Sequence, residues 1–153
     1  MVKNAVLLAR EYNADEEIVM IASWLHDIAS ITDYALYEEH HIHGAEMARP
    51  MLEAFGYEEE KILHVQECIR CHRGSRRMEM PTVEALCIAD ADAISHFDNV
   101  PNLLYLAYVE RGMSVDEGIS FVKNKLERSF AKLSYDSKAF YHSKHLNVME
   151  ILN

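Results

Sequence analysis

Glycine and proline are scarce, five and three in 153 residues, which leaves few places for the tight turns that a many-stranded sheet protein needs. Cysteine is scarcer still. Cys68, Cys71 and Cys87 are an odd number and no secretory apolar segment precedes them, so reduced thiols in a cytosol are expected and disulfides are not. No apolar run approaches the roughly 20 residues that cross a bilayer, because Arg10, Glu11, Glu16 and Glu17 interrupt the nearest candidate. No membrane partner is expected, and the localisation is read as cytoplasmic. Positive charge is also short: 25 Asp and Glu against 15 Lys and Arg give a formal charge of −10. An acidic surface repels a polyanionic backbone, so a nucleic acid polymer is not expected as a partner.

What is present favours helices. Half of the residues are hydrophobic, and Ala, Leu, Glu and Met recur, so the expected class is all-α. The length suits a single domain over residues 1–153, large enough to bury a core. Apolar spacing predicts a first helix from Val2 and a second from about Glu16 to Ala29, with Asn13 or Asp15 as its cap. In the second, Ile18, Ala22, Leu25 and Ala29 follow three- and four-residue steps onto one face. Ser30 to Glu39 lacks a period and reads as a loop or short turn. Helical spacing resumes from His43 to Phe55, with Gly56 as C-terminal cap, and again from about Glu58 to Cys71. A further helix from Thr82 carries Asp90 and Asp92 before Pro101 interrupts it. Additional C-terminal helices are expected over about residues 102–152: Asn102 to Arg111, Ser114 to about Leu133, and one capped by Asp136.

The chemistry centres on His26 and Asp27. A neutral imidazole and a carboxylate can bind one divalent ion, the carboxylate with an oxygen left for a second. The dipeptide alone is common, and a polar pair near a helix end is its bland reading. Here the pair stands in Trp24-Leu25-His26-Asp27-Ile28, at the end of an apolar helix, where buried ionisable groups must be paired or bound to metal. Three more segments follow in order: His43-Gly44-Ala45-Glu46-Met47-Ala48, Ile69-Arg70-Cys71-His72-Arg73, and Thr82 to Ile94, which reads TVEALCIADADAI.

Together these segments resemble the HD-domain superfamily of metal-dependent phosphohydrolases, over roughly Val2 to Phe97. The resemblance implies an HD-domain helical bundle whose metal site draws on several helices. It makes His26 and Asp27 ligands, Asp92 the last carboxylate with Asp90 as the fallback, and His43 and His72 the ligands of a second ion. Asp27 and Asp92 would then be the catalytic carboxylates. One or two divalent ions are implied, with Mn, Mg, Fe, Ni or Co all compatible with imidazole and carboxylate donors. The reaction implied is hydrolysis of a phosphate ester or anhydride in a small phosphorylated metabolite or nucleotide by metal-activated water. The alternative is a non-catalytic HD module that binds a ligand or serves regulation, with an HD-type oxygenase as a weaker third reading. The family's first histidine, one helix before the HD pair, has no counterpart here, since no histidine precedes His26. Either the chain starts upstream of Met1, or the site works with a ligand missing, or catalysis has been lost; the first is expected, because Met1 falls within a regular helix pattern instead of ahead of a cap.

Arg73, Arg76 and Arg77 are candidates to clamp a substrate phosphate, because a guanidinium matches it in bidentate fashion, although a solvated turn is the commoner role for such a cluster. His40 and His41 read as loop residues flanking His43, or as a substitute for the missing first ligand. The cysteines read as small core residues, since one C-x-x-C without a second pair closes no zinc site. His142 and His145 read as surface or tail-packing residues. Tyr105, Tyr108 and Phe121 are candidates for a pocket wall or a homodimer contact, with core packing favoured, and His96 and Asp98 are set aside.

Overall fold

Every regular element among the described residues, 1–73 and 80–153 of a computed structural model, is helical. In order they are α1 (Val2–Glu11), α2 (Glu16–Leu25), α3 (Ile28–Thr32), a 3₁₀ helix (Tyr34–Glu39), α4 (His40–Ala54), α5 (Glu59–Cys71), α6 (Val83–Asp98), α7 (Val100–Tyr105) with a π-helical continuation (Leu106–Glu110), α8 (Val115–Lys132) and α9 (Tyr135–Ile151). The chain is an all-α helical bundle, as its composition implies. It divides into two compact units, Met1–Ala91 and Asp92–Asn153, with the division inside α6.

In the first unit the starts and stops follow local chemistry. The Asp15 carboxylate accepts from the backbone N–H groups of Glu17 and Ile18 and so caps α2, satisfying donors that a helix start leaves open. Gly56, at φ +77°, closes the end of α4 in a left-handed conformation that costs a Cβ-less residue little. Ala5 and Ala9 of α1, Ile18, Val19 and Ala22 of α2, and Ala45 and Ala48 of α4 pack with Ile62, Val65 and Ile69 of α5 and Ile88 of α6. Burying each larger aliphatic side chain contributes about 1.5–3 kcal/mol, and the alanines let the helix axes approach closely.

Polar ties fix α4 against α5 next to that core. Arg49 forks onto the Glu59 carboxylate at 2.8 and 2.9 Å and also donates to the Gln66 side chain. Gln66, buried, donates in turn to the Ala45 carbonyl at 2.6 Å. The second unit has its own core of Phe97, Leu103, Ala107, Val122, Leu126 and Leu152. Ser114 and Glu117 form a reciprocal capping box at the start of α8.

Candidate metal centre

The break between α2 and α3 makes His26 and Asp27 a usable pair. On an unbroken helix, consecutive side chains point about 100° apart. Here α2 stops at Leu25, His26 is its cap, and Asp27 sits at φ −106°, ψ 11° before α3 begins. The turn lets both side chains converge, with His26 Nε2 3.3 Å from Asp27 Oδ2.

The other oxygen of Asp27 faces two more imidazoles. Nε2 of His40, the first residue of α4, is 3.3 Å from Oδ1, and Nε2 of His72, the cap of α5, is 3.7 Å from it. The two imidazole nitrogens are 3.0 Å apart. His40 arrives there because the 3₁₀ helix runs straight into α4 and because Gly44 lets that helix close on the α2 end. A Cβ at Gly44 would lie 3.4 Å from the His26 carbonyl oxygen and 3.5 Å from an Ile69 methyl.

Each imidazole is oriented by its own turn of backbone. Nδ1 of His26 is 2.9 Å from the Ser23 carbonyl, Nδ1 of His40 is 2.7 Å from that of Tyr37, and Nδ1 of His72 is 2.6 Å from that of Ile69. A carbonyl only accepts, so each Nδ1 holds a proton, and each Nε2 is left to donate a second proton toward Asp27 or to ligate a metal ion. The Nε2 atoms of His40 and His72 lie 3.0 Å apart beside a carboxylate, and bare lone pairs on both would repel. Only positive charge shared among them, a proton or a metal ion, quiets that contact. Burial works to raise the Asp27 pKa, but hydrogen bonds and charge from His26 and His72 outweigh it and hold the carboxyl well below the usual range. Burial pushes the His40 pKa down, which favours the neutral, ligating form of the ring.

Asp27, His40 and His72 offer ligand atoms all within 4.8 Å of one another. Neutral imidazoles with carbonyl-anchored Nδ1 and one carboxylate are a donor set suited to a first-row divalent ion, so these residues fit a metal. The HD domain family model matches residues 1–96. This chain belongs to the HD domain family. Similar to it is Ribonuclease Y of Desulforudis audaxviator (strain MP104C), 36% identical over 91 residues, which are 60% of this chain and 16% of that protein. The HD chain thus spans about a sixth of that relative's length. No solved structure matches it.

The HD domain brings together three of the sequence-predicted ligands, His26, Asp27 and His72, and adds His40, which the sequence reading placed in a loop. His43 is not brought to this group. Its side chain is 36% exposed and lies beside Glu39 and Glu46, at 4.0 and 3.5 Å. The reason is helical register: Gly44, which touches the α2 end, is about 40° round the helix from His40 and about 100° from His43. A start of α4 three residues earlier than its apolar period suggests was the missing signal. The spacing of His40 four residues before the small Gly44 could have supplied it.

Asp92 lies in the second unit, where Lys132 donates to its carboxylate. Asp90 is in the first unit and fully buried. Arg73 forms an ion pair with Glu38 of the 3₁₀ helix at 2.9 Å. Arg76 and Arg77 lie outside the described residues. His41, beside His40, has a buried Nδ1 without a partner among the described residues, and burial, aided by the Arg73 charge, pushes its pKa down to about 4. Cys68, Cys71 and Cys87 are free thiols. His145 stacks on Phe130 at 4.2 Å in the second unit, with His142 further off at 6.2 Å. Tyr108 and Phe121 pack against the core there, Tyr105 is half exposed, and His96 Nδ1 is 3.0 Å from Ser129 Oγ. No described helix is long and apolar enough to cross a membrane.

Proposed function

We propose that this HD domain hydrolyses a phosphate ester or anhydride in a small phosphorylated metabolite or nucleotide, using a divalent ion held by Asp27, His40 and His72. The observation that carries the reading is the meeting of two carbonyl-anchored imidazoles and one carboxylate, with Nε2 atoms 3.0 Å apart. When bound, such an ion acidifies water and neutralises charge developing on a phosphoryl group. Asp27 contributes a permanent negative charge, one oxygen toward His40 and His72 and the other toward His26. The Nδ1 hydrogen bonds fix the ring orientations and leave Nε2 as the atom that would ligate. Arg73, next to His72, is the cation that the described residues offer a substrate phosphate, in exchange for Glu38, and Arg76 and Arg77 remain candidates beside it. The family pattern gives Asp92 the role of last carboxylate, and metal content and turnover of Asp92→Asn test that role.

Metal analysis of the purified protein and a screen of phosphorylated compounds with Mn²⁺, Mg²⁺, Fe²⁺, Ni²⁺ or Co²⁺ test the reading. Asp27→Ala should lose both the bound metal and the turnover, and metal-dependent turnover retained in that variant would sink it. The name of the similar Ribonuclease Y raises RNA as a second substrate class. The net charge of −10 favours the small molecule, and single-stranded RNA run beside mononucleotides in the same screen decides between them.

A further inference from the structure

An aromatic column leads from solvent to the metal centre. In a 3₁₀ helix, side chains three residues apart eclipse one another, and Tyr34–Glu39 is such a helix with His40 directly after it. Tyr34 therefore stacks on Tyr37, ring centroids 5.4 Å apart and planes 23° from parallel, and Tyr37 stacks on His40 at 5.7 Å and again 23°. The inner end of the column is an imidazole whose Nε2 lies 3.3 Å from Asp27. At the outer end, Tyr34 is 70% exposed, so one π-face of a ring already held by its neighbour is left open.

The charges along the column give it a direction. Asp33, exposed and capping the 3₁₀ helix beside Tyr34, repels a phosphate from the outer end, whereas Glu38 is neutralised by Arg73. Among the described residues, Arg73, next to His72, brings positive charge to the inner end, where a divalent ion at Asp27 would add to it. A ligand lying along the column is therefore anionic at one end and uncharged and planar at the other. A flat, ordered ring face suits a stacked heterocycle better than an alkyl chain, which gains most in a groove that encloses it.

We propose that Tyr34 is a stacking platform for the base of a nucleotide whose phosphates reach the Asp27, His40 and His72 cluster. The phosphate end of this proposal rests on the hydrolytic reading above, and the base end rests on the column alone. Stacking on an aromatic side chain tolerates any base, so the platform selects nucleotides from base-free phosphates without choosing among bases.

The test is calorimetric titration of the full chain in Mn²⁺ with two ligands that resist hydrolysis, adenosine 5′-(α,β-methylene)diphosphate and its base-free counterpart methylenediphosphonate. The wild type should bind the nucleotide more tightly. Tyr34→Ala should weaken the nucleotide by about 5- to 100-fold, the loss of one base–aromatic stack, and leave methylenediphosphonate unchanged, while Tyr34→Trp retains nucleotide binding. Equal affinities in the wild type, or a Tyr34→Ala variant that keeps the preference, would overturn the platform and leave the metal and phosphate reading intact. If methylenediphosphonate does not bind, that reading is what fails. Adenosine titrated alone then decides the platform: binding abolished by Tyr34→Ala supports it, and no binding to the wild type overturns it. An octyl phosphate that binds as tightly as the nucleotide, and equally depends on Tyr34, would also overturn it.

Discussion

Replacing His40 and His43 by alanine, one at a time, separates two ligand assignments that lie only three residues apart. At a cation concentration one hundred times Kd, binding to the folded chain alone adds about 2.7 kcal/mol of stability. For a chain of this size each kcal/mol moves Tm by about 2–4 °C, so the metal should raise Tm by about 5–11 °C. His40 supplies one of the three donors that lie within 4.8 Å of one another. Even the partners that merely orient a ligand are worth at least about tenfold in metal affinity. A tenfold loss lowers the metal's contribution by about 1.3 kcal/mol and its shift by about 3–5 °C. Among the described residues His43 pairs with Glu39 and Glu46 near the surface, and such pairs contribute about 0–1 kcal/mol. The assay is thermal unfolding of each variant with Mn²⁺ and with chelator. His40→Ala should lose much of the metal-induced shift and His43→Ala should keep it. The reverse pattern would refute the geometric assignment and restore His43 as the ligand.

Gly44→Ala should keep the metal-induced shift, because its Cβ would meet the His26 carbonyl oxygen at 3.4 Å, ordinary contact. Gly44→Val should reduce it, since overpacking that approach costs about 1–3 kcal/mol; the same melts with and without metal report both. Ser114→Ala removes one half of the capping box on α8 and should lower stability by about 0.5–2 kcal/mol, measured by urea unfolding. Burial raises the pKa of Cys68 and pushes that of Cys87 up to about 12, so neither should react with iodoacetamide at pH 8 until denaturant is added, as mass spectrometry of the alkylated protein will report.

Much of the helical layout is legible because helix ends carry their own chemistry. Ser114 and Glu117 announce α8, expected from Ser114 to about Leu133 and observed over Val115–Lys132. Asp15 likewise announces α2. Where no cap residue speaks, the boundaries drift. The apolar step through Leu25 and Ala29 suggests one continuous helix, yet the backbone breaks at Asp27, and the last helix takes Ser134 as its cap rather than Asp136. Tyr34 to Glu39 has no apolar period because its two 3₁₀ turns bury no side chain fully, so its 3₁₀ form was hidden. With it went the start of α4 and the identity of its ligand. The convergence of His26, Asp27 and His72 was legible from order alone; which of His40, His41 and His43 meets them depends on rotation about a helix axis, which pattern order does not encode.

The donors at Asp27, His40 and His72 come from three stretches of chain separated by 13 and 32 residues. An ion held by all three would close two loops at once, as a crosslink does, and would withdraw conformational freedom from everything between α2 and the end of α5. Metal would then act as a removable staple on the HD half of the chain. Its loss should speed backbone amide exchange from Ile28 to Cys71 more than in the capped helices beyond Ser114.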